Sequence, residues 1–217
     1  MPKFPDASNS KLEVKVYVNK LRIVDIDYLK SSFNARFWLD MKWSDSRVTF
    51  NNIQHQKETQ LTKEDMDKLW LPALNFEVTP KISRTTRDDA LIMKVTGYNK
   101  RPKFDLTKHH DDINRYTGAD VTIEASRLYN EIFTCEFQLQ MYPFDSQICN
   151  MTFTLAKHQA TFVQLVLPCM DKDKEITVGE FQVTKIERYQ PADETSQIGN
   201  RSVLNFPALF LTLFVLQ

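Results

Sequence analysis

The cysteines are the residues whose spacing points most directly to chemistry. The chain has three, Cys135, Cys149 and Cys169, and thirteen residues separate the first two. A bridge between Cys135 and Cys149 would close a short loop and remove about 3 kcal/mol of chain entropy from the unfolded state. Cys169 would then be an unpaired thiol or a small buried hydrophobic residue.

An apolar cluster lies between these two cysteines, near a turn. It consists of Met141, Tyr142, Pro143 and Phe144, and Asp145 follows directly. The Asp145 side chain is suited to hold a turn, because it can accept hydrogen bonds from backbone N–H groups. Exposed apolar clusters usually mark contact surfaces. We therefore expect the tip of this loop to touch a partner.

No motif in the chain predicts an enzyme. It lacks a GxSxG elbow, a glycine-rich phosphate loop, an HExxH zinc motif and a CxxC pair. The run from His109 to Asp112 contains metal-binding side-chain types, but adjacent strand residues point to opposite faces, so a solvated loop is favoured. No catalytic residues, no metal site and no cofactor are predicted.

Composition excludes further partners. Lys and Arg total 28, as do Asp and Glu, so neither nucleic acid nor an anionic membrane surface is predicted. Asn150 and Asn200 each begin an Asn-X-Ser/Thr glycosylation pattern, which fits an oxidising, secretory setting. The longest apolar run, 206–216, is shorter than the roughly 20 residues of a membrane-spanning helix. Its position suggests a domain cut from a longer protein.

The elements that must position these residues are β-strands. Apolar residues alternate with polar ones at 12–18, 37–42, 137–141 and 151–155, and the segments 180–189 and 202–217 also indicate strands. Thr62 begins a segment with early acidic residues that predicts about two helical turns. Many strands with almost no helix indicate an all-β, antiparallel sandwich or barrel. The simplest division of the chain is a polar segment, 1–11, followed by one domain, 12–217.

The loop between the cysteines resembles the signature loop of the pentameric ligand-gated ion channels, the Cys-loop receptors. The matching pattern is C-x-F-x-L-x-x-Y-P-F-D-x-x-x-C, with strand alternation on both sides. Residues 38–45, WLDMKWSD, resemble the W-L-x-x-x-W-x-D motif of the second strand, and residues 69–72, LWLP, resemble the opening of the first binding loop. The resemblance extends over about 12–217 and ends where a pore would begin.

This resemblance implies a β-sandwich of about ten strands, with five copies in a ring. A small-molecule agonist would bind between neighbouring subunits, on the extracellular face of the plasma membrane. Tyr142, Pro143, Phe144 and Asp145 would then press on the membrane domain and couple binding to pore opening.

The resemblance also implies two binding faces. On the complementary face the matching positions are Trp38, Thr122 and Glu124. On the principal face of the neighbouring subunit they are Phe76, Glu77, Ala156, Tyr189 and Phe206.

Several positions depart from the family pattern. Ala156 stands where an aromatic residue usually forms a cation–π wall, Ala73 replaces the acid of W-x-P-D, and Glu77 occupies a tyrosine position. These changes argue against acetylcholine and favour a bulkier or more amphipathic ligand.

Two alternative interpretations remain to be weighed. A soluble secreted homologue resembling acetylcholine-binding proteins would have no use for the apolar tip at 142–144. An adhesion sandwich of immunoglobulin type needs a bridge that spans some 50 residues or more, far longer than the Cys135–Cys149 loop.

Overall fold

The computed structural model describes residues 11–51, 53, 56–77, 82–98, 116–137, 140, 146–156 and 158–166. It also describes the backbone of 176–178, 181–189 and 208–216.

These residues form fourteen strands, one short α-helix and one 3-10 turn. The strands are β1 Leu12–Asp27, β2 Ser32–Trp43, β3 Thr49–Phe50, β4 Glu58–Gln60, β5 Leu74–Glu77, β6 Ile82–Arg84, β7 Ile92–Gly97, β8 Tyr116–Thr117, β9 Val121–Thr134, β10 Ser146–Leu155, β11 Val163–Val166, β12 Ile176–Val178, β13 Phe181–Tyr189 and β14 Ala208–Leu216. The helix α1 is Lys63–Lys68, and the 3-10 turn is Gly118–Asp120.

Two six-stranded sheets make up the fold. The first sheet has the order β11-β1-β2-β9-β7-β4, and the second has the order β12-β13-β14-β10-β5-β6. A small sheet, β3-β8, lies apart from them. Nearly all pairs are antiparallel; β1 and β11 pair in parallel, with Leu12 opposite Val163.

The core lies between the two sheets, because apolar side chains alternate along the strands. Val14 and Val16 on β1 and Phe37 and Leu39 on β2 are at most 1% exposed. Phe37 meets the second sheet through Phe153, with 5.8 Å between the ring centroids. The residue that follows each of these apolar residues is more exposed and faces outward, so one strand serves the core and a surface at the same time.

The helix begins where the sequence predicts. The Thr62 side chain accepts a hydrogen bond from the Asp65 N–H, which satisfies one free backbone donor of the first turn. At the other end, Arg87 donates to the carbonyl oxygens of Met66 and Leu69 at 2.8 and 2.7 Å. The helix is a single short element at the edge of the sandwich.

The structure confirms the all-β sandwich and corrects two details. There are more strands than the expected ten or so, because several edge strands are only two to four residues long. The prediction of a strand at 137–141 is wrong at Phe137, because β9 ends at Thr134 and 135–137 has no regular structure. Residues 138, 139 and 141 of that prediction lie outside the described residues. Within the described ranges, no helix has the length and apolar character to cross a membrane.

Candidate ligand-binding faces

The outward face of the first sheet carries the predicted complementary residues. Trp38 and Asp40 are two residues apart on β2, so both point outward, and both are half-buried. The Asp40 carboxylate accepts a hydrogen bond from Asn19 Nδ2 at 2.5 Å and another from the Ser126 hydroxyl. Neutral groups on both neighbouring strands therefore fix this carboxylate in place.

The Asp40 carboxylate is one of the groups that raise the pKa of Lys94, after the hydrogen bond and charge of Glu58. Among the described residues no Lys or Arg forms an ion pair with it. The alternation of β2 places it beside Trp38, yet the resemblance alone did not single it out. The sequence feature that could have identified Asp40 is its position two residues after Trp38, on the same face of the strand.

Glu124 lies on the same face and forms an ion pair. Its Oε2 is 2.9 Å from the Lys42 Nζ, which also lies 5.4 Å from the centre of the Tyr17 ring. Burial disfavours the Lys42 ammonium, but the hydrogen bond and charge of Glu124 outweigh it and raise the pKa of Lys42. Thr122 is half-buried two residues earlier on β9, so it faces the same way as Glu124.

Phe76 belongs to the core and not to a ligand surface. Its ring is fully buried, with centroids 4.9 Å from Tyr129 and 5.3 Å from Phe153. The alternation of β5 accounts for this, because Leu74 and Phe76 both point inward. The principal-face role expected of Phe76 is therefore corrected to that of a packing residue behind the strand.

The other principal-face positions lie at strand ends of the second sheet. Glu77 is the last residue of β5, and Tyr189 is the last residue of β13, paired with Phe210. Ala156 follows β10 directly and is half-buried. Phe206 lies outside the described residues.

The turn after β10 is joined to the segment before β5. Ala156 N–H donates to the Ala73 carbonyl at 2.9 Å, and Ala73 N–H donates to Gln159 Oε1 at 2.8 Å. Gln159 is 3% exposed. The sequence pattern did not point to Gln159, because a bond between residues 86 positions apart leaves no local signal.

The Cys135–Cys149 disulfide is confirmed. The two sulfur atoms are bonded, and the Cα atoms are 5.1 Å apart. The turn expected to couple to a membrane domain, 142–145, lies outside the described residues, as do Cys169 and Asn200. Asn150 is exposed on β10.

The two candidate faces belong to different sheets. Trp38, Thr122 and Glu124 lie on the first sheet and point away from the core, whereas Glu77, Ala156 and Tyr189 lie on or next to strands of the second. Stacked sheets pack about 10 Å apart, with the core between them. The two sets of residues therefore belong to different layers of the sandwich.

Comparison with known proteins identifies the family. The chain matches the model of the neurotransmitter-gated ion-channel ligand binding domain over residues 3–205. The chain belongs to this family. Among curated proteins, it is 22% identical to the acetylcholine receptor subunit alpha-type acr-7 of Caenorhabditis elegans, over 78% of this chain and 29% of that protein.

Two further relatives show how far the similarity extends. The chain is 25% identical to the acetylcholine receptor subunit alpha-type des-2 of Caenorhabditis elegans, over 69% of this chain and 24% of that protein. It is 22% identical to the human neuronal acetylcholine receptor subunit alpha-5, over 96% of this chain and 41% of that protein. The chain thus spans less than half the length of these relatives.

Proposed function

We propose that this ligand-binding domain is the extracellular part of a pentameric ligand-gated ion channel. A small-molecule agonist binds between neighbouring subunits, and its binding energy shifts the population toward an open pore. The domain lies on the extracellular face of the plasma membrane, in a ring with four further copies.

The placement of the two faces on different sheets is the observation that carries this proposal. One chain offers Trp38 and Glu124 on its first sheet and Ala156 directly after a strand of its second sheet. A ring of identical chains brings the first sheet of one copy against the second-sheet residues of the next. A shared cleft is then formed that neither chain contains alone.

Each face has a distinct part in this cleft. Trp38, Thr122 and Glu124 contact the ligand from the complementary side, with the Asp40 carboxylate beside Trp38 to attract a cationic group. Glu77, Ala156, Tyr189 and Phe206 contact it from the principal side. Because Ala156 contributes no aromatic ring, the cleft favours a bulkier or more amphipathic amine than acetylcholine.

The remaining features serve coupling and secretion. Tyr142, Pro143, Phe144 and Asp145 press on the membrane domain and transmit the change in the cleft to the pore. Asn150 and Asn200 carry glycans.

Assembly is tested by the solution mass. Size-exclusion chromatography with light scattering should give a species of about 130 kDa, five times the 25.5 kDa of the chain. A discrete dimer or tetramer would contradict the ring. The coding sequence beyond Gln217 distinguishes a channel, with spanning segments, from a soluble secreted homologue.

Ligand class and site are tested together by thermal shift. Acetylcholine and larger amphipathic amines are screened on the wild type, and we expect the larger amines to give the greater stabilisation. Trp38→Ala should then weaken the binding amine about tenfold, the size of a desolvated cation–π contact. The control is Val24→Ala, which is 48% exposed on β1 of the same sheet. A strong shift with acetylcholine alone would overturn the assignment of the ligand.

A further inference from the structure

Gln159 is a buried polar side chain that joins two segments far apart in sequence. Its Oε1 accepts the Ala73 N–H at 2.8 Å, although the two residues are 86 positions apart. Its backbone also organises the turn after β10: Gln159 N–H donates to the Ala156 carbonyl at 2.8 Å, and Val163 N–H donates to the Gln159 carbonyl at 2.9 Å.

The hydrogen bond of Gln159 completes the pairing of Ala73. The Ala73 carbonyl accepts from Ala156 N–H at 2.9 Å, so both backbone groups of Ala73 are bonded to the turn at 156–159. Two bonds in opposite directions fix the register of the two segments, because sliding either one breaks both. A buried N–H left without an acceptor is costly, which makes the side chain at 159 the decisive one.

The ladder between β5 and β10 fixes the register as far as Leu74 and Leu155, and beyond that end the remaining contacts do not. Trp70 packs against Phe162 across the same two segments, with 6.1 Å between ring centroids. This contact is apolar and non-directional, so it tolerates sliding. Thr85 holds the first segment from its other side, since its hydroxyl accepts Leu74 N–H at 3.0 Å and donates to the Pro72 carbonyl at 2.9 Å. Thr85 makes neither of these bonds to the turn.

We infer that Gln159 is a positioning residue of the ligand cleft, which extends the pairing of β5, the strand ending at Glu77, beyond its ladder to the turn that begins at Ala156. Both of these are proposed principal-face positions, so this inference rests on the proposed function for its consequence. The cleft wall then moves as one unit.

Hydrogen exchange of single backbone amides tests this without any ligand. Gln159→Met keeps the volume and removes the acceptor. We expect the protection factors of the Ala73 and Ala156 amides to fall about tenfold. The Ala156 amide is the informative one, because its own acceptor, the Ala73 carbonyl, is untouched. The Leu74 amide, bonded to Thr85, and the Val14 amide in β1 should keep their wild-type values.

Two further variants separate positioning from general stability. Gln159→Glu keeps a side-chain oxygen that can accept the Ala73 N–H and should restore most of the protection of Ala156 that Gln159→Met removes. Gln164→Met changes an exposed glutamine five residues later and should have no effect. Wild-type protection of Ala156 in Gln159→Met, or an equal fall at Ala156, Leu74 and Val14, would overturn the inference. Because the hydrogen-exchange experiment uses no ligand, its result can be interpreted even if the agonist screen finds nothing.

Discussion

The inward and outward faces of β2 and β9 have different roles, although the same strands carry both. Inward, Phe37 is fully buried among the rings of Phe76, Tyr129, Phe133 and Phe153. Outward, the side chains two and four residues apart on the same strands are half-buried and joined by ion pairs and hydrogen bonds. Strand alternation therefore lets recognition vary on one face while stability is kept on the other.

The largest effect should come from the inward face. Phe37→Ala removes a ring that contacts four others, and we expect it to lower the free energy of unfolding by about 4 kcal/mol. Urea denaturation measures this. Arg36→Ala, at the adjacent exposed position, should cost less than about 0.5 kcal/mol. Similar losses in the two variants would mean that the alternation does not separate the roles of the two faces.

The second-largest effect should be the pH dependence of stability that comes from the inward-facing Tyr129. Burial raises the pKa of Tyr129 from 10.0 to about 12, with the Arg127 guanidinium opposing it. The folded chain thus keeps the phenol proton up to about pH 12, whereas the unfolded chain releases it near pH 10. Stability should fall as pH rises through this window, by about 2 kcal/mol.

Tyr129→Phe is the control for that measurement, since it keeps the ring and removes the titrating group. Its stability between pH 10 and 12 should decline less than that of the wild type. Parallel pH profiles for the two proteins would show that the phenol of Tyr129 is not held in its neutral form by the core.

The smallest effect should come from the outward face. Lys42 and Glu124 are partly exposed, so their coupling in a double-mutant cycle of Lys42→Met and Glu124→Gln should be under about 1 kcal/mol and should shrink with salt. A coupling above about 2 kcal/mol would break the comparison, because the outward face would then contribute to stability as the core does.

Sequence patterns predicted the elements well where a local cause determines them. The alternation at 12–18, 37–42 and 151–155 coincides with β1, β2 and β10, and Thr62 caps α1 as its side-chain type suggests. The prediction that Phe76 faces the ligand was wrong because the family resemblance identifies a position in the sequence but does not say which face of the strand its side chain occupies. Its neighbour Leu74, two residues earlier and equally apolar, points to the core.

What the sequence did not predict depends on contacts between distant residues. The parallel pairing of Leu12 with Val163 and the bond from Ala73 to Gln159 connect residues about 150 and 86 positions apart. No local propensity reports on such pairs. Asp40 is an intermediate case, since its face follows from alternation while its fixed geometry requires Asn19 and Ser126 from two neighbouring strands.

The place of β14 has a consequence for how the chain acquires its fold during synthesis. This strand is the last in the described chain, yet it lies in the interior of its sheet, between β13 and β10, and pairs with β10 from Ser146 to Thr154. Until residue 216 leaves the ribosome, β10 and β13 each present an unpaired edge of backbone donors and acceptors. The half of the sandwich that holds Cys149 therefore closes only once β14 has been synthesised, and the nascent chain must keep those edges from pairing with other chains in the meantime.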